Sequence, residues 1–437
     1  MRVCKRVWVM VAIAVAIRVI VSLAIVGDQL PPQAHHWKFG WEMGQVAASV
    51  VSGHGYGNPL PVESGPTAAV LPAYPLLIAG VFKVFGVFTP TAALMMLLLN
   101  SIFAALTVIP VYRIAQRLFD DNVAVIAGWM WTLFPMSIYF AASEIWEWSL
   151  TALLATLAFL YTLKVRESLT LRDWLSWALI WGLLGMTSAT MLATLPPLGL
   201  WAVIGHWKRG RRPLLQAGLA AMLFIVCLTP WTVRNYQTFH HFVPMRDNFW
   251  LEVHRGFNGD TVDVTSDRFD PVHDGIERRQ WIQLGETKYF NLKKQESIAF
   301  VTQHLGLSAA LVARHVVMFW TGFWSLSVEF LGMEPLHVPA VMLTSTFTLL
   351  ALAGWRATLR EGQTAKLVPL GIVYCVYPLV YYITHPSLEY RLALDPLLVA
   401  VGSYGAVYLW RNFKQESKML TDECVPAGEE IAENVNA

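Results

Sequence analysis

Long apolar runs separated by short polar segments make up most of the chain. The first run, at about 7–26, has the roughly 20 residues that a helix needs to cross a hydrocarbon layer of ~30 Å. Because more runs follow it, we interpret it as an uncleaved helix and not as a signal peptide. Further runs of membrane length lie at 91–116, 123–142, 148–163, 174–191, 195–207, 214–233, 338–355, 367–383 and 392–410. The pattern predicts an all-α polytopic membrane protein with about ten transmembrane helices.

Other apolar runs do not fit this series of spans. The runs at 37–51 and 74–85 are short for a crossing, and the second has Pro72 and Pro75 at its start. Both are typical of helices that lie at a membrane interface, here in the first outer loop. The run at 307–324 is long enough to cross, but a crossing there would move the next basic loop to the opposite face. We expect an interfacial or re-entrant segment at that position.

Arginine and lysine are concentrated in every second loop between the predicted spans. These residues are Arg113 and Arg117; Lys164, Arg166 and Arg172; Lys208, Arg209, Arg211 and Arg212; Arg356, Arg360 and Lys366; and Arg411, Lys414 and Lys418. Short cytoplasmic loops of membrane proteins carry an excess of such residues, so both chain ends are predicted in the cytoplasm. The segments predicted on the extracytoplasmic side are those around Glu42, Glu144, Arg234 and His385.

This topology divides the chain into regions. The N-terminal membrane module covers 1–233 and contains the first outer loop at 27–90. A mixed polar segment follows at 234–335; it has too few apolar runs for a separate core, and we expect it to order as a lid over a membrane cavity. Membrane helices return at 336–413, and the acidic end at 414–437 is predicted to be a disordered cytoplasmic tail.

The composition supports a membrane protein and disfavours several other classes. Hydrophobic residues make up 55% of the 437 and charged residues 14%, and the net charge of +2 gives no general attraction to nucleic acid. Cys4, Cys227, Cys375 and Cys424 lack the paired spacing of a metal knuckle or a disulfide framework. The sequence has no Gly-rich nucleotide loop, no His-Glu-x-x-His helix and no serine nucleophile elbow. An ATP-driven pump, a zinc protease and a serine hydrolase therefore lack their signatures.

Glu42 follows the first span within an aromatic stretch, Trp37-Lys38-Phe39-Gly40-Trp41-Glu42-Met43. It either caps and solvates an interfacial helix, or it is a carboxylate that does chemistry at the membrane surface. In the second interpretation Glu42 accepts the proton of an acceptor hydroxyl, and burial among aromatic side chains raises its basicity. The residues alone leave both interpretations open.

A second acidic pair lies in the short outer loop Ser143-Glu144-Ile145-Trp146-Glu147-Trp148. Glu144 and Glu147 share a face if they form the first turn of a helix, and Ser143 would then be its cap. Alternatively, one of them faces Glu42 across a cavity and orients the acceptor or a cation. We prefer Glu144 because it lies farther out. The sequence shows no group of residues with the spacing of a metal site. Binding of a divalent cation between Glu42 and Glu144 is nevertheless left open as an alternative.

Basic residues on the same predicted face are candidates for binding a phosphate. Arg234 ends a long span, in Pro230-Trp231-Thr232-Val233-Arg234-Asn235-Tyr236, while His385 and Arg391 lie in the segment before the last span. A guanidinium is planar, permanently charged and able to donate two parallel hydrogen bonds to a phosphate. Arg234 could equally anchor its helix by reaching lipid headgroups. Arg18 lies within the first span, where we expect a structural partner in a neighbouring helix.

The order of several motifs resembles the GT-C membrane glycosyltransferases. These motifs are Gly53-His54-Gly55-Tyr56, Pro72-Ala73-Tyr74-Pro75, Val84-Phe85-Gly86, Val111-Tyr112-Arg113-Ile114-Ala115-Gln116-Arg117-Leu118-Phe119, the Pro230 to Tyr236 run and Tyr390-Arg391-Leu392. Over about 7–410, the chain most resembles the bacterial relatives of dolichyl-phosphate-mannose protein mannosyltransferases and aminoarabinose transferases, which are like glycosyltransferase family 39.

The resemblance implies an enzyme of the bacterial inner membrane with an extracytoplasmic active site. It also implies a polyprenyl-phosphate-linked sugar donor and an inverting transfer to a lipid, glycan or protein hydroxyl. In the family a carboxylate of the first outer loop is the base, and Glu42 matches it by location, although relatives usually carry Asp there. Basic residues of later outer loops hold the donor phosphate; the candidates are Arg234, Arg391 and His385. Further candidates for contacting the acceptor or supporting the site are Glu147, Tyr236 and His54.

Two other classes of protein compete with the transferase. A transporter or flippase of lipid-linked sugars could use the same basic residues, but it is expected to have internal repeats and several charges along a path at mid-membrane. Here only Arg18 is such a charge, and no internal repeat is visible. A structural membrane subunit needs no acidic pocket on the outer face. The sequence therefore favours a glycosyltransferase.

Overall fold

The protein is a bundle of helices in which the regular elements follow the predicted apolar runs. Its structure, a computed structural model, describes residues 5–29, 39–259, 269–323, 325–328, 331 and 337–423. The regular elements in these residues are helices, with one isolated β-bridge between Gly57 and Pro66. The all-α class is therefore confirmed. The last helix continues to Glu423, so the prediction of a disordered tail is wrong for 414–423. Trp37, Lys38 and the rest of the predicted tail from 424 onwards lie outside the described residues.

Each predicted transmembrane run coincides with one helix or with consecutive helices. The helices are α1 (Lys5–Gln29), α2 (Glu42–Val51), α3 (Ala73–Phe85), α4 (Pro90–Leu106), α5 (Val108–Leu118), α6 (Asp121–Thr132), α7 (Pro135–Ser143), α8 (Trp148–Val165), α9 (Leu171–Gly185), α10 (Leu195–Trp207), α11 (Leu214–Phe239), α12 (Phe249–Gly256), α13 (Gly275–Leu284), α14 (Glu286–Gln303), α15 (Leu305–Thr321), α16 (His337–Arg360), α17 (Leu367–Val376), α18 (Leu379–Tyr382), α19 (Leu388–Arg391) and α20 (Asp395–Glu423). Short 3₁₀ helices lie at Thr190–Thr194 and Thr364–Lys366.

Not all of these helices have the length and apolarity of a membrane span. In the described part of the chain, 7 segments do: Lys5–Ala24, Pro90–Leu118, Asp121–Ser143, Trp148–Val165, Leu214–Phe239, His337–Arg360 and Thr364–Tyr382. The predicted runs at 174–191, 195–207 and 392–410 are not among these 7 segments. The first two correspond to the shorter helices α9 and α10 and the third lies mostly in α20, so the count of about ten spans stays a prediction. Helices α3 and α15 are shorter apolar helices, at two of the positions where the sequence predicts interfacial pieces.

Caps at the helix starts explain where the apolar runs divide. Thr89 precedes Pro90, and its Oγ1 accepts a hydrogen bond from the Ala92 N–H over 3.1 Å. Asp120 caps α6 in the same way, with its Oδ1 2.8 Å from the Val123 nitrogen. A cap of this kind satisfies an N–H group of the first turn that has no partner within the helix. The two caps therefore fix the starts of two consecutive apolar segments.

Arg18 is buried inside the bundle and bonds to a break between α6 and α7. Pro135 begins α7 and has no N–H to bond to the Trp131 carbonyl four residues earlier, so that carbonyl accepts from the Phe134 N–H instead, at 3.2 Å. The Nη1 atom of Arg18 donates to the Thr132 carbonyl at 3.1 Å, and Nη2 donates to the Ser137 Oγ at 3.0 Å and to the Trp131 carbonyl at 3.5 Å. The arginine of the first span therefore satisfies polar groups of neighbouring helices, which is the structural role expected from its position.

Replacing Arg18 with lysine is expected to destabilise the protein by about 1–3 kcal/mol. Lysine keeps the cost of burying a positive charge but cannot reach all the acceptors that the guanidinium bridges, because its donors lie on one nitrogen. The melting temperature of the purified protein in detergent measures the effect. Arg6→Lys changes an exposed arginine of the same helix and is the control. Equal melting temperatures for both variants would contradict the bridging role.

The outer segments share an apolar core. Its residues come from the first outer loop, from the loop before α8 and from the late outer segment; they include Phe39, Met43, Ile78, Phe82, Ile145, Leu251, Val272, Trp281, Tyr289 and Phe290. The segment at 234–335 thus packs on α2 and α3 as well as on itself. This packing brings polar side chains from distant parts of the sequence close together.

Helix α8 connects the two ends of the bundle. Glu147 precedes it and Arg166 follows it, and 18 helical residues extend about 27 Å. Basic loops meet at the Arg166 end, where Lys164 pairs with Asp173 at 2.6 Å. We refer to these as the Glu147 end and the Arg166 end of the bundle.

Candidate active site

Glu42 begins α2, and a tight loop places it beside the loop that precedes α8. Gly40 has a φ of +64°, and a Cβ added to it would lie 2.6 Å from the Ile145 carbonyl oxygen, so glycine alone allows this approach. Trp41 has a φ of 43° and a ψ of −106°, which a bulky residue rarely adopts and which costs on the order of 1–3 kcal/mol. Backbone strain of this kind is frequent at functional sites.

Glu42 and Glu147 interact electrostatically although they are far apart in sequence. Burial and the negative charge of Asp270 raise the pKa of Glu42 to about 7, against the opposing charges of Arg255 and Arg246. Burial likewise raises the pKa of Glu147 to about 7, with Arg246 lowering it and Glu42 raising it. The Oε2 atom of Glu147 is buried without a hydrogen-bond partner in the described residues. The pKa of each of the two carboxyl groups therefore lies near neutral pH.

Asp270 stays ionised beside this pair. Its own burial would raise the pKa of Asp270, but the charge of Arg255 and the nearby His273 hold it at about 2. The Nη1 atom of Arg255 and the Nδ1 atom of His273 each lie 3.5 Å from the Asp270 Oδ2. The His273 ring also meets the Trp41 ring edge to face, with centroids 4.2 Å apart. Neighbouring carboxyl groups with widely separated pKa values can take different roles in acid–base chemistry.

Arg246 is a positively charged residue near these carboxyl groups, and only one nitrogen of its guanidinium is hydrogen-bonded to the described residues. Its Nε donates to the Ala69 carbonyl at 2.7 Å, while its two terminal nitrogens make no hydrogen bond to the described residues. The half-buried side chain interacts electrostatically with Glu42 and Glu147. A guanidinium that is anchored through one nitrogen and open at the other two suits bidentate binding of a phosphate. The sequence prediction missed Arg246, although the polar run that follows α11 was a visible signal.

The predicted phosphate ligand Arg234 is bonded to the first outer loop. Its Nη1 donates to the Thr67 carbonyl at 2.7 Å, and its Nη2 donates to the Tyr56 carbonyl. The guanidinium also lies 5.2 Å from the centroid of the Trp231 ring. Arg234 and Arg246 both act electrostatically on the Tyr56 hydroxyl. This placement favours a supporting role for Arg234, which ties α11 to the loop beside Arg246.

Arg391, the second predicted phosphate ligand, is buried at the end of α19. Its Nε lies 2.7 Å from the Asp395 Oδ1, its Nη1 donates to the Trp320 carbonyl at 2.7 Å, and its Nη2 donates to the Thr344 carbonyl at 3.2 Å. All three nitrogens of the guanidinium thus have partners within the protein. This placement favours a structural role over phosphate binding.

Replacing Arg391 with methionine is expected to cost about 3–5 kcal/mol of stability, because it leaves the buried carboxylate of Asp395 unpaired. The double variant Arg391→Met with Asp395→Leu should regain most of that loss, since it removes both charges. Thermal unfolding in detergent measures both, and Arg356→Met, at an exposed arginine, is the control. An Arg391→Met protein of full stability that fails to transfer sugar would instead support the predicted phosphate contact.

His385 lies beside Glu252, and the charge of Arg255 acts on its imidazole. Its Nδ1 lies 3.6 Å from the Glu252 Oε2, and its ring centroid lies 5.6 Å from that of Tyr390. Burial and the positive charge of Arg255 lower the pKa of His385 to about 3, so the imidazole is neutral near pH 7. A neutral imidazole can donate one hydrogen bond but adds no positive charge to a phosphate site.

The sequence favours Glu144 over Glu147 as the residue that faces Glu42, but the electrostatic interaction with Glu42 involves Glu147. The Glu144 carbonyl accepts a hydrogen bond from the Asn100 Nδ2 at 2.9 Å, which fixes the loop. Glu147 is the loop glutamate whose charge acts on Glu42. Ser143 ends α7 and its Oγ donates to the Tyr139 carbonyl, so the alternative in which Ser143 caps the following helix is wrong.

Tyr236 and His54 lie at the periphery. Tyr236 is 58% exposed on α11. His54 is exposed in the turn after α2, with its Nδ1 2.9 Å from the Ser52 Oγ. Their roles in acceptor binding or support stay predictions.

The residues around Glu42 fit a divalent cation poorly. In the described part of the chain, no group of three or more His, Cys, Asp or Glu side chains could hold a metal ion. The charges of Arg246 and Arg255 already act on the Glu42 carboxylate and would repel a dication.

Comparisons with known proteins support the fold and the family resemblance. The family model described as dolichyl-phosphate-mannose-protein mannosyltransferase matches residues 66–232, a part that includes Glu147 but not Glu42 or Arg246. No curated protein matches the chain.

The chain is similar to solved structures of an archaeal oligosaccharyltransferase. The Archaeoglobus fulgidus oligosaccharyltransferase in complex with zinc and sulfate is 12% identical, with a TM-score of 0.51 over 94% of this chain and 51% of that one. The archaeal oligosaccharyltransferase AglB from Archaeoglobus fulgidus, in complex with an inhibitory peptide and a dolichol-phosphate, is 11% identical, with a TM-score of 0.52 over 96% of this chain and 52% of that one. The chain thus spans about half the length of these relatives. It is a multi-pass membrane protein whose fold is similar to that of these oligosaccharyltransferases, and its resemblance to the dolichyl-phosphate-mannose protein mannosyltransferases is confirmed over residues 66–232.

Proposed function

We propose that the protein transfers a sugar from a polyprenyl-phosphate carrier to an acceptor hydroxyl at the Glu147 end of the bundle. The observation that carries this proposal is the electrostatic interaction of Glu42, whose pKa is raised to about 7, with Arg246, whose two terminal nitrogens make no hydrogen bond to the described residues. The family resemblance supports a sugar donor linked to such a carrier, since the matching family is described by dolichyl-phosphate-mannose. Short basic loops are typical of the cytoplasmic face, and here they lie at the Arg166 end of the bundle. The proposed site lies at the opposite, Glu147 end, which is therefore expected on the extracytoplasmic side.

Glu42 is the proposed general base. Its ionised carboxylate accepts the proton of the acceptor hydroxyl while the hydroxyl oxygen attacks the anomeric carbon of the sugar. The bond between that carbon and the phosphate oxygen breaks, and its electron pair leaves with the carrier phosphate. Attack from the side opposite the leaving group inverts the anomeric configuration. A base with a pKa near the working pH combines a large ionised fraction with useful basicity.

Arg246 is the proposed ligand of the departing phosphate. Two parallel hydrogen bonds from its open nitrogens stabilise the negative charge that grows on the phosphate as the bond breaks. Asp270, held ionised by Arg255, keeps the pKa of Glu42 raised. Glu147, whose charge acts on Glu42, is the proposed positioning residue that orients the acceptor hydroxyl towards Glu42.

Release of the free carrier tests the proposed reaction. The purified protein, reconstituted in sealed lipid vesicles, is incubated with polyprenyl-phosphate mannose labelled in the sugar and with an extract of envelope acceptors. We expect labelled acceptor and free polyprenyl phosphate to accumulate in equal amounts. A protein that moves the labelled lipid across a vesicle membrane without cleaving it would instead be a flippase, and the transferase proposal would fail.

A further inference from the structure

A cavity at the Arg166 end of the bundle is separate from the candidate active site. Its volume is about 320 Å³, and it lies between α10 and the start of α17. Arg166 and Lys208 line it together with apolar residues that include Leu200, Trp201 and Val368. Because α8 separates Arg166 from Glu147 by its full length, this cavity opens at the opposite end from the proposed chemistry.

The apolar wall of the cavity faces the surroundings of the bundle. Leu200 is 56% exposed and Val368 is 46% exposed, although both belong to strongly apolar helices. In a membrane protein such side chains contact hydrocarbon. The cavity is therefore reached from the lipid as well as from the water beyond the helix ends.

Trp201 holds the Arg166 side chain in place, and part of the guanidinium makes no hydrogen bond to the described residues. Its Nη1 donates to the Trp201 carbonyl, and its guanidinium carbon lies 3.9 Å from the centroid of the Trp201 ring. Gly205 makes room for it, since a Cβ there would lie 2.6 Å from the Arg166 Nη1. The Nε and Nη2 atoms of Arg166 make no hydrogen bond to the described residues. The arginine is thus fixed on α10 while it can still bind an anion.

Lys208 provides a second positive charge on the same cavity. It is exposed at the end of α10 and forms no ion pair with the described part of the chain. Acidic side chains nearby are already paired: Glu167 with Arg117, and Asp173 with Lys164. The cavity mouth is therefore positively charged, and its wall is apolar.

We propose that this cavity binds one anionic phospholipid of the leaflet at the Arg166 end. Its phosphate lies between Arg166 and Lys208, and the first part of an acyl chain lies along Leu200 and Val368. Basic pockets between transmembrane helices bind acidic lipid headgroups in this way. The volume is at the lower limit of small-molecule sites, roughly 300–1,000 Å³, so it accommodates the phosphate region and part of a chain. This site is independent of the proposed transferase activity.

Native mass spectrometry of the delipidated full-length protein tests the site, because it resolves individual bound lipids. The protein is titrated with phosphatidylglycerol or with phosphatidylcholine. We expect the first phosphatidylglycerol to bind more tightly than phosphatidylcholine. Lys208→Gln should weaken that first binding step about fivefold, and Lys208→Arg should restore it. Leu200→Trp, which fills the cavity, should weaken it as well.

A matched control separates the cavity from general surface charge. Arg211→Gln removes an exposed charge from the same loop but does not touch the cavity, so it should leave the first binding step unchanged. Equal losses in Arg211→Gln and Lys208→Gln, or unchanged binding in Leu200→Trp, would overturn the proposal. Displacement of the lipid by millimolar glycerol phosphate would assign the site to a soluble phosphate and would also overturn it.

Discussion

Replacing Glu42 with glutamine is expected to reduce sugar transfer by about 10²–10⁴-fold, the usual contribution of a general base. Glutamine keeps the size of the side chain but cannot accept the proton of the acceptor hydroxyl. Folding should be unaffected, because glutamine removes a carboxylate that burial disfavours in its charged form. The measurement is the rate of release of free polyprenyl phosphate per folded protein.

The pH dependence distinguishes a base from a merely structural carboxylate. Because the pKa of Glu42 is raised to about 7 and the base works ionised, wild-type kcat should rise with pH through neutrality and then level off. Stability should change in the opposite sense. A carboxylate whose folded pKa lies above its unfolded value stabilises the fold at low pH, and this contribution is lost as pH rises through about 7. Glu42→Gln should therefore match or exceed wild-type stability at pH 8.

Glu63→Gln is the matched control for Glu42→Gln. Glu63 lies in the same outer loop but is exposed, so its replacement should leave transfer unchanged. Near-normal turnover by Glu42→Gln would show that Glu42 is a capping residue, and the base would then be sought at Glu147, whose pKa is raised to a similar value.

The helices could be predicted because the requirements of a membrane span are local. Length and apolarity decide whether a segment crosses, and both are visible in a short window of sequence. The short helices α9 and α10 fall near the limit, which is why the number of spans is harder to predict than their positions. Glu42 could be proposed as a candidate for a similar reason, as an acidic residue in the aromatic stretch that follows the first span.

The partners of Glu42 could not be predicted because their position depends on tertiary packing. Asp270, Arg255 and Arg246 belong to the outer segment, which has no apolar period to indicate its fold. They meet Glu42 because Leu251, Val272 and other residues of that segment share a core with the first outer loop. Contacts between such distant parts of a chain leave no local pattern.

Arg391 shows a signal that was present in the sequence and was missed. Asp395 follows it by four residues, and opposite charges at that spacing pair across one turn when the segment is helical. The two side chains do pair, at 2.7 Å. A charge that has an obvious local partner is a weaker candidate for ligand binding than one without, such as Arg246.

Replacing Arg246 with methionine is expected to lower kcat by about 10²–10³-fold, the effect of removing one group that stabilises charge in the transition state. Arg246→Lys should retain part of the activity, because an ammonium keeps the charge but loses the two parallel hydrogen bonds. The rate of carrier release, measured at saturating donor, gives kcat, and the melting temperature of each variant monitors folding.

Arg279→Met is the matched control for Arg246→Met, since Arg279 is an exposed arginine of the same outer segment. It should leave both kcat and stability unchanged. If Arg246 served only to anchor the first outer loop through the Ala69 carbonyl, Arg246→Met would lower the melting temperature while the folded fraction kept its kcat. The charge of Arg246 also lowers the pKa of Glu42, so kcat is compared at a pH well above 7, where Glu42 is ionised in every variant. A loss of kcat there, at unchanged melting temperature and partly rescued by lysine, supports a contact with the departing phosphate.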